Sequence, residues 1–155
     1  MSEYEKMISG QLYNANDPEL ALMRRQARAR LDQLNHSVQD VKSGERLDIC
    51  HKLFGKAGER LWLQPPFYCE YGSNIELGDN VFFNFNCVVL DVAKVIIGSN
   101  VLIAPNVQIY TATHPLDAQL RRDGQELGKP ITIGDDVWIG GSAVICPGVT
   151  IGNKS

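Results

Sequence analysis

The sequence predicts a mainly β solenoid with a small α-helical N-terminal domain, and three observations lead there. Apolar residues recur every six positions: Leu77, Phe83 and Val89, then Ile97, Ile103 and Ile109, then Ile133, Ile139, Ile145 and Ile151. The residues four positions further on are small or β-branched, at Val81, Cys87, Ala93, Val101, Val107, Val137, Ala143 and Val149. A period of six matches neither the 3.6 of a helix nor the 2 of a plain strand. It matches short strands that bend at regular corners and stack coil upon coil around a continuous core. Second, Gly78, Asn80, Gly98, Asn100, Gly134, Gly140, Gly148 and Gly152 recur where those corners need tight or left-handed backbone. Third, the chain from Ser2 to about Gly55 has helical spacing instead.

In the helical part, Asp17 followed by Pro18 is an N-cap and first-turn pair. Leu20, Met23, Ala27, Leu31 and Leu34 then share one face, and Asn35 and His36 end the helix. Arg24, Arg25, Arg28 and Arg30 lie mostly off that face and read as a solvated surface. A further helix starts near Ser43, with Leu47, Cys50, Leu53 and Phe54 on its apolar side and Gly55 as its stop. His36 and His51 are assigned to helical packing. The domain boundary falls between residues 57 and 58.

Leu61 to Cys69 (LWLQPPFYC) reads as an extended lead-in, and Tyr71 to Asn74 as the first corner. Three hexads, eighteen residues, would close one triangular coil. Two excursions interrupt the hexads. Between Val89 and Ile97 the register gains two residues, which puts Asp91 in a bulge. From about Thr111 to Lys129 the chain is too polar and irregular for coil, yet Ile109 and Ile133 remain four hexads apart. A polar loop that leaves a rigid scaffold and rejoins it in phase is where reactive groups are usually carried. His114 stands at its root, and an imidazole titrates near neutral pH and suits proton acceptance.

Composition narrows the function classes. With a net charge of −3 there is no basic field to recruit nucleic acid or an acidic membrane surface. No apolar run approaches the roughly 20 residues of a membrane span, and the acidic start MSEYEKMISG lacks a signal-peptide core; a cytoplasmic chain is expected. Cys50, Cys69, Cys87 and Cys146 have neither CxxC pairing nor metal-ligand spacing, so buried thiols are expected and no metal site. There is no G-x-S-x-G elbow, P-loop or G-x-G-x-x-G. A general base without a nucleophile suggests direct transfer between two bound substrates.

The strings YGSNI (71–75), NFNCVVLD (84–91), IAPNVQIYTATHPLD (103–117) and KPITIGDDVWIGG (129–141), together with the hexads and the helical N-terminus, resemble the maltose/galactoside O-acetyltransferase family of hexapeptide-repeat acyltransferases over nearly the whole chain. The resemblance implies a left-handed parallel β-helix, a homotrimer with active sites between subunits, and acetyl transfer from acetyl-CoA to a sugar hydroxyl. By the same resemblance His114 is the catalytic base, and Asn84 and Asp91 match or adjoin acceptor-binding positions. Glu70 and Glu126 align with acceptor contacts that bear on which sugar is taken. Trp138, Gly141 and Ser142 fall at the acetyl-CoA side, the Gly141 N–H facing the thioester oxygen. Lys129, Arg121 and Arg122 are candidates for holding the anionic CoA. The family continues past IGN with further coils, whereas this sequence stops at Ser155, which predicts weakened CoA binding or, alternatively, a feebly active scaffold.

Overall fold

The structure, a computed structural model, describes residues 1–38 and 44–155. Helix α1 (Glu3–Ile8) opens on a capping box in which the Ser2 hydroxyl accepts from the Glu5 N–H at 3.1 Å and the Glu5 carboxylate accepts from the Ser2 N–H at 2.7 Å. A two-residue strand, β1 (Tyr13–Asn14), follows within the stretch expected to be helical. Asp17 caps α2 (Pro18–Asn35) through the Glu19 N–H at 3.0 Å, and His36 closes it. Helix α3 spans Glu45–Leu53; the expected start at Ser43 lies outside the described residues. His36 and His51 are exposed on these helices rather than packed.

The apolar face of α2 serves two cores. Ala27, Leu31 and Leu34 join Ile49, Cys50, Leu53 and Phe54 on the solenoid's own core, while Leu20 and Met23 pack with Met7, Tyr13, Tyr71 and Val92. Asn35 also pairs with the first coil as a strand would: its Nδ2 donates to the Phe67 carbonyl at 3.0 Å and its Oδ1 accepts from the Phe67 N–H at 2.9 Å. The helices therefore seal solenoid backbone that would otherwise lack partners.

Three parallel four-stranded walls make the solenoid. The first holds β2 (Trp62–Leu63), β5 (Val81–Phe83), β8 (Val101–Ile103) and β13 (Trp138–Ile139). The second holds β3 (Phe67–Cys69), β6 (Cys87–Leu90), β9 (Gln108–Tyr110) and β14 (Val144–Ile145). The third holds β4 (Ile75–Leu77), β7 (Val95–Ile97), β12 (Ile131–Ile133) and β15 (Thr150–Ile151). The hexad residues from Leu77 to Ile139 point inward and are buried. The segment expected as a lead-in is already a coil, since Trp62 pairs with Phe82 and Phe67 with Cys87 in parallel register. Ile75 pairs with Val95, twenty residues on, and Thr132 with Thr150, eighteen on. The two extra residues fall at the corner between the second and third walls, where the bulge at Asp91 is expected.

At the corner between the third and first walls the left-handed residues are Arg60 (φ 57°), Asn80 (φ 56°), Asn100 (φ 58°), Asp136 (φ 57°) and Lys154 (φ 60°), not the glycines. Asparagine and aspartate tolerate that region because their side chains bond locally. Gly78, Gly98 and Gly134 are required for a different reason, the close approach of the next coil: a Cβ on Gly98 would lie 2.8 Å from the Gly134 backbone and 2.3 Å from Asp135 Oδ1. Beside them runs a ladder in which each side chain accepts from the backbone of the coil below. Asp79 serves the Glu59 N–H at 2.8 Å, Ser99 serves Asp79 at 3.0 Å, Asp135 serves Ser99 at 2.7 Å and Asn153 serves Asp135 at 2.7 Å.

The expected thiols are only partly buried. Cys50 and Cys87 are inside, the Cys50 thiol pushed up to about 12 by burial, but Cys69 is half-buried and Cys146 is exposed at a corner. All four are free.

Candidate functional site

The corner between the second and third walls carries His114. Thr111, buried, donates to the Leu90 carbonyl at 2.6 Å and accepts from the Ala93 N–H at 3.0 Å, which anchors the root of the excursion on the coil below. The excursion is more regular than its polarity suggests. Strand β10 (Ala112–Thr113) turns through a short helix, α4 (Ala118–Arg122), into β11 (Gln125–Gly128), and β11 pairs antiparallel with both β10 and β1. The N-terminal segment is thus the outer strand of the loop that bears His114. The imidazole is exposed directly after the last paired residue of β10, and no described residue hydrogen-bonds to it.

Glu126 and Glu70 lie at the same corner, each partly exposed and each held by the N-terminal region. The Tyr13 hydroxyl donates to Glu126 Oε2 at 3.2 Å; burial, then the neighbouring Glu126 charge, hold that phenol well above its usual range. Arg24 Nη1 donates to the Tyr71 hydroxyl at 2.9 Å, and Arg24 Nε lies 3.9 Å from Glu70 Oε1. Sequence reasoning overlooked Tyr13, Arg24 and Tyr71. For Arg24 the signal was present: it stands four residues after Leu20 and three before Ala27, on the buried stripe of α2, and not on the solvated face.

Asp91 departs from its expected role. It is fully buried, and its carboxylate accepts from the Glu70 N–H at 3.1 Å, the Tyr71 N–H at 2.9 Å and the Asn74 N–H at 3.2 Å, while Asn74 Nδ2 donates to its carbonyl at 2.7 Å. Those bonds knit the two extra residues of one coil to those of the next, and the side chain faces backbone. Burial pushes this carboxyl up to about 7 although the N–H groups of Tyr71, Asn74, Asp91 itself and Glu70 favour its charged form.

The other expected residues gather at a different corner, between the first and second walls, where residues 84–86, 104–106 and 140–142 stack. Asn84 and Trp138 line one depression of about 190 Å³ with Phe82, Leu102, Ile103 and Ala104. Trp138 is 73% exposed, an open aromatic face. Asn84 Oδ1 accepts from the Phe85 N–H at 2.8 Å, which leaves its amide NH2 free to donate. Gly141 is exposed, and its N–H has no acceptor among the described residues. Ser142, left-handed at φ 61°, donates its N–H to the Pro105 carbonyl at 2.9 Å, so only its hydroxyl remains available. A free amide beside an exposed indole and an apolar strip can take a long, mostly apolar arm that ends in a polar carbonyl.

The two groups of expected residues therefore stand on different corners of one chain, separated by a side of roughly six residues, on the order of 15–20 Å at about 3.3 Å per residue. Of the three candidates for CoA phosphate, Arg121 and Arg122 are engaged within the loop, Arg121 with the Pro115 and Leu116 carbonyls and Arg122 with Gln119 Oε1. Lys129 is exposed. Among the described residues no cluster of His, Cys, Asp and Glu could hold a metal, and no helix is long and apolar enough to cross a membrane.

Comparison with known proteins bears on what these residues do. Residues 6–58 match the maltose acetyltransferase hexapeptide capping motif. The chain is 40% identical over 151 residues to the galactoside O-acetyltransferase of Escherichia coli (strain K12), covering 97% of this chain and 74% of that protein. The crystal structure of a maltose O-acetyltransferase from Clostridium difficile 630 superimposes with a TM-score of 0.95 at 49% identity, covering 98% of this chain and 81% of that one. A hexapeptide-repeat acetyltransferase from Vibrio cholerae O1 biovar eltor, complexed with acetyl-CoA, gives a TM-score of 0.89 at 44% identity over 99% of this chain and 82% of its own.

Proposed function

The chain belongs to the maltose/galactoside O-acetyltransferase family of left-handed parallel β-helices, with acetyl-CoA as donor, and from that premise we propose that it acetylates a hydroxyl of a sugar such as maltose or glucose, with His114 as general base. The observation that carries the reading is the exposed imidazole of His114, without a hydrogen bond among the described residues, on the same corner as two anchored carboxylates at the break in the solenoid. His114 takes the proton of the sugar hydroxyl as that oxygen forms its bond to the thioester carbonyl carbon. The Gly141 N–H holds the negative charge that develops on the carbonyl oxygen. As the carbon–sulfur bond breaks, the imidazolium returns its proton to the leaving sulfur, and no covalent enzyme adduct forms.

Glu70 and Glu126 accept from acceptor hydroxyls, Asn84 donates to the acceptor, and Trp138 and Ser142 lie along the donor. Because the two groups lie on separate corners, the working site joins the His114 corner of one chain to the Trp138 corner of another, in a homotrimer. A cytoplasmic location suits an enzyme that draws on acetyl-CoA. The test is thiol release from acetyl-CoA with maltose, glucose and a β-galactoside as acceptors. His114→Ala is expected to lower acceptor-dependent release by about a hundredfold or more. Folded wild-type protein that releases thiol with none of these acceptors would overturn the sugar reading, and an active His114→Ala would overturn the base.

A further inference from the structure

No described side chain hydrogen-bonds to His114, so within one chain it is the backbone bearing the imidazole that sets its direction. On the N-terminal side that backbone is pinned: Ala112 and Thr113 pair with Gly128 and Leu127. On the C-terminal side the chain leaves the strand, and one side chain closes back on it. Arg121 Nη1 donates to the carbonyls of Pro115 at 2.9 Å and Leu116 at 2.8 Å, the two residues that follow His114. Asp117 caps α4 through the Leu120 N–H at 2.9 Å, which fixes the helix from which Arg121 projects. A guanidinium is suited to this work because it stays charged and presents its donors in a rigid fork.

From this clamp we infer that Arg121 is a positioning residue for His114, locking the peptide after the base so that the imidazole meets the acceptor hydroxyl at productive distance. The inference rests on His114 being the base. It also reassigns Arg121, whose charge would otherwise suggest a contact with the CoA phosphates. An ångström of misplacement at a general base is enough to lower the rate by orders of magnitude.

The test is a double-mutant cycle on the full chain, with kcat and both KM values measured for wild type, Arg121→Ala, His114→Ala and the double variant. Arg121→Ala is expected to lower kcat about tenfold or more, with little change in either KM or in the thermal midpoint. Arg121→Lys, which keeps one donor, should recover part of that loss. In the His114→Ala background, removing Arg121 should add nothing, because the residue acts only through the base. Equal losses in both backgrounds would overturn the proposal. So would a rise confined to the KM for acetyl-CoA that vanishes with acetyl-pantetheine, which lacks the nucleotide phosphates and so reports a phosphate contact. If His114→Ala alone leaves kcat intact, it is the base reading that fails, and the cycle separates that outcome from failure of the clamp.

Discussion

Asp91 carries a carboxylate into the interior, and its titration governs one pH dependence of the fold. Its folded value of about 7 stands above the ordinary 3.8, raised by desolvation against the pull of backbone N–H donors. The folded chain therefore binds a proton between those values that the unfolded chain has released. The associated stability is complete below pH 3.8 and is withdrawn as the pH rises through about 7. Denaturant unfolding should give a lower stability at pH 8 than at pH 5, and Asp91→Asn should flatten that slope. At pH 8 the asparagine is expected to cost about 1–3 kcal/mol, since its NH2 would face backbone donors. An Asn variant that unfolds like wild type at both pH values would refute the clasp.

At the scale of the element, the corner between the third and first walls makes a sharper distinction among glycines than their recurrence suggests. Gly98→Ala would drive its Cβ into the Gly134 backbone, which cannot turn aside as a side chain could, and is expected to destabilise by about 1–3 kcal/mol. A Gly98→Ala variant that unfolds at the wild-type midpoint would mean that the stacking column does not constrain the coils. The excursion follows the same logic of partnership. Its β11 is framed on one side by β10 and on the other by β1, so a polar stretch acquires strand structure from neighbours far away in the chain.

For the whole molecule, the proposed site leads to a prediction about assembly. A homotrimer would run at three times the 17.2 kDa chain mass in light scattering. Mixed trimers of His114→Ala and Asn84→Ala chains should recover activity that neither variant has alone, to about a quarter of wild type for random mixing, because each intact site would draw one half from each variant. If mixing restores nothing, both halves must come from one chain.

The hexads determined the solenoid without help from tertiary contacts, because a repeat of six with two inward apolar residues per side buries them by stacking sides of equal length. The caps at Asp17 and His36 and the in-phase polar loop were legible for the same reason: they depend on local spacing. The fate of a polar side chain that reaches across coils was not. Asp91 reads equally well as a ligand contact or a backbone clasp until Glu70, Tyr71 and Asn74 are seen to converge on it from the coil below. Likewise Tyr13 meets Glu126, 113 residues away, only because β1 pairs with β11. The placement of His114 and Trp138 on separate corners is a property of the closed triangle, which brings residues twenty apart into register and sets those six apart on different walls.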